Sequence, residues 1–153
     1  DPEILNNYAV YLCRNGRIDE GVKHFESAAR NPLYRTPAAA YTNAGVCQRG
    51  AGRFVDAGKN FLRALQLRPN SAEAAFQLGD LRLQQGATAE ARTDVDRFLE
   101  AFRATPDLLL LRVRIARATG DKLAEEKFSR RLRIDFPESD QVRALGAAAR
   151  NPG

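Results

Sequence analysis

The sequence predicts an all-α fold: a right-handed superhelical solenoid of four helical hairpins plus a C-terminal capping helix, forming a single domain over residues 1–153. Three observations predict it. First, the stretch Tyr41-Thr42-Asn43-Ala44-Gly45-Val46-Cys47-Gln48-Arg49-Gly50-Ala51-Gly52 has echoes at Asn6 to Gly16, Phe76 to Gly86 and Leu109 to Gly120. Second, the glycines that close these segments, Gly16, Gly52, Gly86 and Gly120, are separated by 36, 34 and 34 residues. A period near 34 marks stacked helix–turn–helix units. Third, the second half of each unit carries a small residue with a bulky one four positions later. Ala57/Phe61 and Ala124/Phe128 match well, Gly21/Phe25 nearly, and Ala91/Val95 weakly.

Each element has its own justification. Asp1-Pro2-Glu3 reads as a capped start, with proline in the first turn and a carboxylate that the helix dipole favours. Leu5, Tyr8, Ala9 and Leu12 follow at helical spacing, and Asn15-Gly16 ends the helix. A second helix from Ile18-Asp19 carries Gly21, Phe25 and Ala28 on one face and ends by Asn31-Pro32. The linker Leu33-Tyr34-Arg35 holds the two surplus residues of the 36-residue spacing, and Thr36-Pro37 opens the next helix. That helix runs through Tyr41, Ala44, Gly45 and Gln48, and its partner holds Ala57, Phe61, Ala64 and Leu65 before Pro69.

Asn70-Ser71 caps the third pair, with Ala75, Leu78 and Gly79 in its first helix and Ala91, Val95, Phe98 and Phe102 in its second. The fourth pair opens at Thr105-Pro106-Asp107, continues through Leu108 to Leu111, and after Gly120 places Ala124, Phe128 and Leu132 before Phe136-Pro137. The repeats thus span approximately residues 2–35, 38–71, 72–105 and 106–137. Residues 138–150 form one more helix, with Val142, Leu145 and Ala149 on one side, which is expected to cover the apolar end of the stack. Together the period and the small-then-bulky pairs resemble the tetratricopeptide repeat signature.

Composition narrows the function classes. A hydrophobic share of 44% and a charged share of 28% are those of an ordered globular chain. The net charge of +5 comes from 24 basic residues, mostly arginine, against 19 acidic ones. With a pI near 9.6 this passes a first screen for nucleic-acid binding. The arginines are spread over every repeat, however, and no aromatic residues interleave with them as a stacking platform would need. Nucleic acid is therefore disfavoured as a partner. Arg112, Arg114, Arg117, Arg130, Arg131 and Arg133 make the last repeat the most basic, which suits an acidic protein partner or anionic lipid headgroups. No apolar run reaches bilayer length. The absence of any methionine and of a cap before the first hairpin leads us to expect a piece of a longer array.

No catalytic site is expected: there is one histidine, His24, expected on a solvated helix face, and no phosphate-binding loop or metalloprotease motif. Two cysteines and a histidine on a different helix do not make a zinc site, so no metal or cofactor is expected. The inner face of such a stack is built from the first helix of each hairpin. Asn7, Asn43, Gln77 and Leu111 hold equivalent positions there. An amide both donates and accepts, so this row could hold an extended peptide by its backbone, or could instead satisfy loop and helix-end groups. Asn7, Asn43 and Gln77, with the neighbouring Val10, Val46, Asp80 and Arg114, are the candidate partner-binding residues. The positions that build a carboxylate clamp in some repeat proteins hold Asn6, Val10, Asn43, Glu73 and Gln77; the cations are absent, which disfavours capture of chaperone C-termini. Cys13 and Cys47 lie on the first helices of adjacent hairpins. They are near enough for a disulfide in an oxidising compartment, or for two small buried thiols.

Asn6-Asn7-Tyr8 with Leu12-Cys13 and Gly16-Arg17, then Asn31-Pro32-Leu33-Tyr34, then Thr42-Asn43-Ala44-Gly45 with Cys47, resembles the type IV pilus biogenesis lipoproteins of the PilF/PilW family. The matching stretch covers Asp1 to about Gly52, and Ala9 stands where that family tends to have glycine. The resemblance implies a non-enzymatic pilotin: a periplasm-facing solenoid of about six repeats that helps the pilus secretin reach the outer membrane and form its multimeric ring. It implies a lipid anchor on a cysteine upstream of Asp1, since neither Cys13 nor Cys47 sits in a lipobox. Membrane contact would run through that anchor alone. An oxidising periplasm would favour the Cys13–Cys47 disulfide. The alternative is a repeat scaffold or co-chaperone for another protein.

Overall fold

The computed structural model describes residues 1–150, with side chains through Gly146. Its elements are α1 (Pro2–Arg14), α2 (Ile18–Arg30), α3 (Pro37–Gly50), α4 (Phe54–Leu67), α5 (Ala72–Gln84), α6 (Thr88–Ala101), α7 (Pro106–Thr119), α8 (Lys122–Asp135) and α9 (Asp140–Arg150). Among the described residues there is no strand, and the fold is the helical repeat fold that the periodicity predicts.

The four glycines of the 34-residue period share one geometry. Gly16, Gly52, Gly86 and Gly120 have φ of +79°, +78°, +78° and +71°, a region costly for a residue with a Cβ. In each turn the next residue's N–H reaches back to a carbonyl five positions earlier. Arg17 donates to Leu12 at 2.9 Å, Arg53 to Gln48 at 2.9 Å, Ala87 to Arg82 at 2.8 Å and Asp121 to Ala116 at 2.9 Å. This is the Schellman closure, which satisfies end carbonyls that would otherwise lack a donor.

At the starts, Asp1 Oδ1 accepts from Glu3 N at 2.9 Å, Ser71 Oγ from Ala74 N at 3.2 Å and Thr105 Oγ1 from Leu108 N at 3.3 Å. Thr36 departs from expectation: it precedes Pro37 at the start of α3, yet its side chain makes no cap bond. The last helix begins at Asp140 rather than Glu138, with Ser139 Oγ accepting from Val142 N at 3.3 Å.

The chain divides into two compact units, Asp1–Leu81 and the part that begins at Arg82. In the first unit, Ala9, Val22, Phe25, Ala44 and Cys47 form one buried cluster, and Ala57, Phe61, Leu78 and Leu81 another. Small residues permit the close approach: a Cβ on Gly45 would fall 2.5 Å from the Phe61 ring, and one on Gly21 2.5 Å from Cys13 Sγ. The surplus linker residues have opposite fates. Tyr34 is buried against Ala28 and Ala40, while Leu33 is 80% exposed.

In the second unit α7 is the central element and packs against α6, α8 and α9. Leu108, Leu109, Leu111, Val113, Ile115 and Ala116 are all buried, which accounts for the leucine block. The helix α9 packs on α7 and α8 through buried Leu145, while Ala149 lies outside the described side chains. Phe102, expected as part of the apolar stripe of α6, lies just past the helix end, half exposed, with its ring 5.2 Å from that of Phe98.

Candidate functional site

In the first unit, α1, α3 and α5 supply the residues singled out as a partner-binding face. Asn7 and Val46 are exposed, and Val10, Asn43, Gln77 and Asp80 are half-buried. Two polar links join successive helices. Asn43 Nδ2 donates to Asn6 Oδ1 at 3.5 Å, so α1 presents Asn6 rather than Asn7 to α3. Arg49 of α3 reaches α5 twice, donating to Gln77 Oε1 at 3.0 Å and pairing with Asp80 at 2.6 Å. Gln77 in turn donates to Glu73 Oε1 at 3.3 Å.

These amides therefore tie neighbouring first helices together. The row Asn7, Asn43, Gln77 is not a set of equivalent open groups, and Asn43 and Gln77 bond to side chains rather than to loops or helix ends. Arg49 was not among the expected site residues, because its partners lie 28 and 31 residues away in sequence. It supplies a cation at half depth, committed to the Asp80 carboxylate, so a ligand carboxylate would have to compete for it. Arg114 lies on α7 in the second unit, where its position is exposed.

Beneath this face, Cys13 and Cys47 are joined by a disulfide, with their Cα atoms 5.8 Å apart. It ties α1 to α3 at the level of the first glycine turn. His24, expected on a solvated face, is half-buried with its ring 5.2 Å from Tyr8.

The arginine surplus is largely consumed in ion pairs. Arg112, 4% exposed, donates to Asp96 at 2.7 Å and lies 4.8 Å over the Phe128 ring. Arg117 faces Glu125 at 3.6 Å, Arg130 faces Glu126 at 2.7 Å and Arg131 faces Asp135 at 3.7 Å. Arg82 touches the Asp94 carboxylate at 2.8 Å, but without the alignment of a hydrogen bond. Burial holds the Asp94 carboxyl above its ordinary range, with Arg82 and Arg97 pulling it down. Among the described residues there is no cluster of three metal-capable side chains, and no helix is long and apolar enough to cross a membrane.

Comparison with known proteins places this geometry. Tetratricopeptide repeat models match residues 9–72 and 48–115. The type IV pilus assembly protein PilF of Pseudomonas aeruginosa is 24% identical over 136 residues, which cover 89% of this chain and 54% of that protein. The chain thus spans about half the length of that curated relative. The crystal structure of PilW, described as a widely conserved type IV pilus biogenesis factor, superposes with a TM-score of 0.77 at 30% identity, over 95% of this chain and 67% of that one. A tetratricopeptide repeat protein of Parabacteroides merdae superposes at a TM-score of 0.80 but 19% identity, covering 95% of this chain and 57% of that one, and shows the fold alone. With its repeats and its similarity to PilW running along nearly its whole length, this chain belongs to the PilF/PilW family of tetratricopeptide repeat proteins of type IV pilus biogenesis.

Proposed function

We propose that this chain is the interaction module of a pilotin: a non-enzymatic scaffold that binds the type IV pilus secretin and promotes its outer-membrane localisation and multimerisation. The observation that carries this reading is the similarity to PilW over 95% of the chain. The face offered to the partner is that of α1, α3 and α5, where exposed Asn7 and Val46 flank the half-buried Val10, Asn43, Gln77 and Asp80. Arg114 is the corresponding contact in the second unit. Apolar Val10 and Val46 would gain from burial, while the Arg49–Gln77–Asp80 network gives a partner both donors and acceptors.

The disulfide between Cys13 and Cys47 supports residence in an oxidising compartment, in keeping with the periplasmic face of the outer membrane. The full-length protein would be held there by a lipid anchor outside this chain. The mechanism is mass action: retaining secretin protomers beside the membrane raises their local concentration and favours the ring. A co-chaperone that clamps a C-terminal carboxylate is the weaker reading, because Arg49, the cation linking α3 to α5, already pairs with Asp80.

The test is a deletion of the full-length gene in its own bacterium, followed by immunoblotting of outer membranes for heat-resistant secretin multimers. Loss of multimers with monomer retained, restored by the intact gene but not by one carrying Val46→Glu, is the expected result. Unchanged multimers would overturn the proposal.

A further inference from the structure

The repeat register exposes one face of α1 that the pilus reading does not use. Counted from the glycine turns, at spacings of 36 and 34 residues, Ile4, Tyr8 and Tyr11 of α1 correspond to Ala40, Ala44 and Cys47 of α3. The same positions hold Ala74, Leu78 and Leu81 in α5, and Leu108, Arg112 and Ile115 in α7. Each of these later residues is buried, none more than 8% exposed. Ile4, Tyr8 and Tyr11 are 67%, 43% and 57% exposed. Their spacing puts them on one side of the helix, with the two tyrosine rings stacked at 6.2 Å.

What covers the equivalent positions is the same each time: the second helix of the preceding hairpin. Ala40 is buried with Ala28 of α2, and Ala44 and Cys47 with Val22 and Phe25. Ala74 is buried with Ala64 of α4, and Leu78 and Leu81 with Ala57 and Phe61. In the second unit α6 packs on α7, and its Asp96 receives Arg112. Among the described residues no helix covers the corresponding side of α1. Two further observations define the occupant. Tyr8 and Tyr11 fill the space that Ala44 and Cys47 leave to Phe25, so a close-packed helix meets them with glycine or alanine. The second helices of this chain are all engaged: α2 on α3, α4 on α5, α6 on α7, and α8 under α9. A second copy therefore has no free second helix to offer.

We propose that the outer face of α1 docks the second helix of a further repeat hairpin in the full-length protein, an amphipathic helix that presents glycine or alanine to Ile4, Tyr8 and Tyr11. PilF and PilW have length for such a hairpin, since this chain covers 54% and 67% of them. Tyrosine suits the seam: its ring supplies apolar area, while its hydroxyl reaches a partner or water at the rim. The first helix of the docked hairpin would lie beside α1 and lengthen the inner face of α1, α3 and α5. The inference stands apart from secretin binding, because Ile4, Tyr8 and Tyr11 are not among the candidate partner contacts.

The test compares tyrosine nitration by tetranitromethane in this chain and in the full-length gene product, read peptide by peptide by mass spectrometry. In this chain Tyr8 and Tyr11 should react faster than buried Tyr34. In the full-length protein they should react at least tenfold more slowly, while half-buried Tyr41 reacts equally in both. Tyr8→Ser/Tyr11→Ser should lower the urea midpoint of the full-length protein several times more than that of this chain, and Tyr8→Phe/Tyr11→Phe should restore it. Equal nitration of Tyr8 and Tyr11 in the two proteins, or equal loss of midpoint, would overturn the proposal. So would protection in this chain alone that dilution removes, which would assign the face to a second copy. Protection of the full-length protein only after secretin is added would assign it to that partner instead.

Discussion

Replacing Gly45 by alanine tests the packing of the first unit most directly. A Cβ there would sit 2.5 Å from Phe61 Cε1, 2.7 Å from Cδ1 and 2.9 Å from Cζ, where ordinary contacts begin at 3.4 Å. Phe61 is wholly buried, so its ring has no open side into which it could retreat. Overpacking of this kind costs about 1–3 kcal/mol, while Gly→Ala inside a helix returns about 1 kcal/mol of intrinsic propensity. Three ring atoms lie inside 3.0 Å, which puts the clash at the upper end and the net loss at about 2 kcal/mol.

Gly58→Ala is the matched control. It lies inside α4 of the same unit, and its added Cβ would meet only Leu81 Cδ2, at 3.9 Å. That substitution should stabilise by about 0.5–1 kcal/mol. Urea unfolding followed by circular dichroism should move the two midpoints in opposite directions. A Gly45→Ala protein as stable as its parent would show that α3 and α4 separate freely and would refute the close-packing argument.

Further outcomes follow from other contacts. The disulfide closes a loop with a sequence separation of 34, so Cys13→Ser/Cys47→Ser should lose about 3–4 kcal/mol in a urea titration, and dithiothreitol should reproduce the loss in the parent. If reduction leaves the midpoint in place, α1 is held by packing alone. Thr105→Ala removes a hydroxyl that caps α7 and should cost about 1 kcal/mol, whereas Thr36→Ala removes one that caps nothing and should cost less in the same thermal scan.

Burial raises the Asp94 carboxyl above its reference of 3.8, so the folded chain holds that proton more tightly than the unfolded one. The stability from this group is full below pH 3.8 and is lost as pH rises through the folded value. Relative to the parent, Asp94→Asn should therefore gain stability as pH climbs above 3.8. A difference that is flat with pH would place the carboxyl at its ordinary value.

The order of helices, their turns and the family are properties of the sequence by itself. They rest on signals within one turn or one period: a glycine where φ must be positive, a serine or threonine before an apolar run, a small residue four places before a ring. The resemblance at Asn6 to Gly52 is of the same local kind. What only the tertiary structure decided is which side chains meet across helices. Asn6 rather than Asn7 touches Asn43, Arg49 gathers Gln77 and Asp80, and Tyr34 is buried while Leu33 beside it is not. Arg112 shares the buried face of Leu108, Leu111 and Ile115, and a charged side chain is accommodated there because Asp96 and the Phe128 ring receive it. Helical periodicity specifies a face to within about one residue's rotation, roughly 100°. The contact between two faces depends on the axial offset and rotation at which their side chains interlock, and no local pattern encodes those.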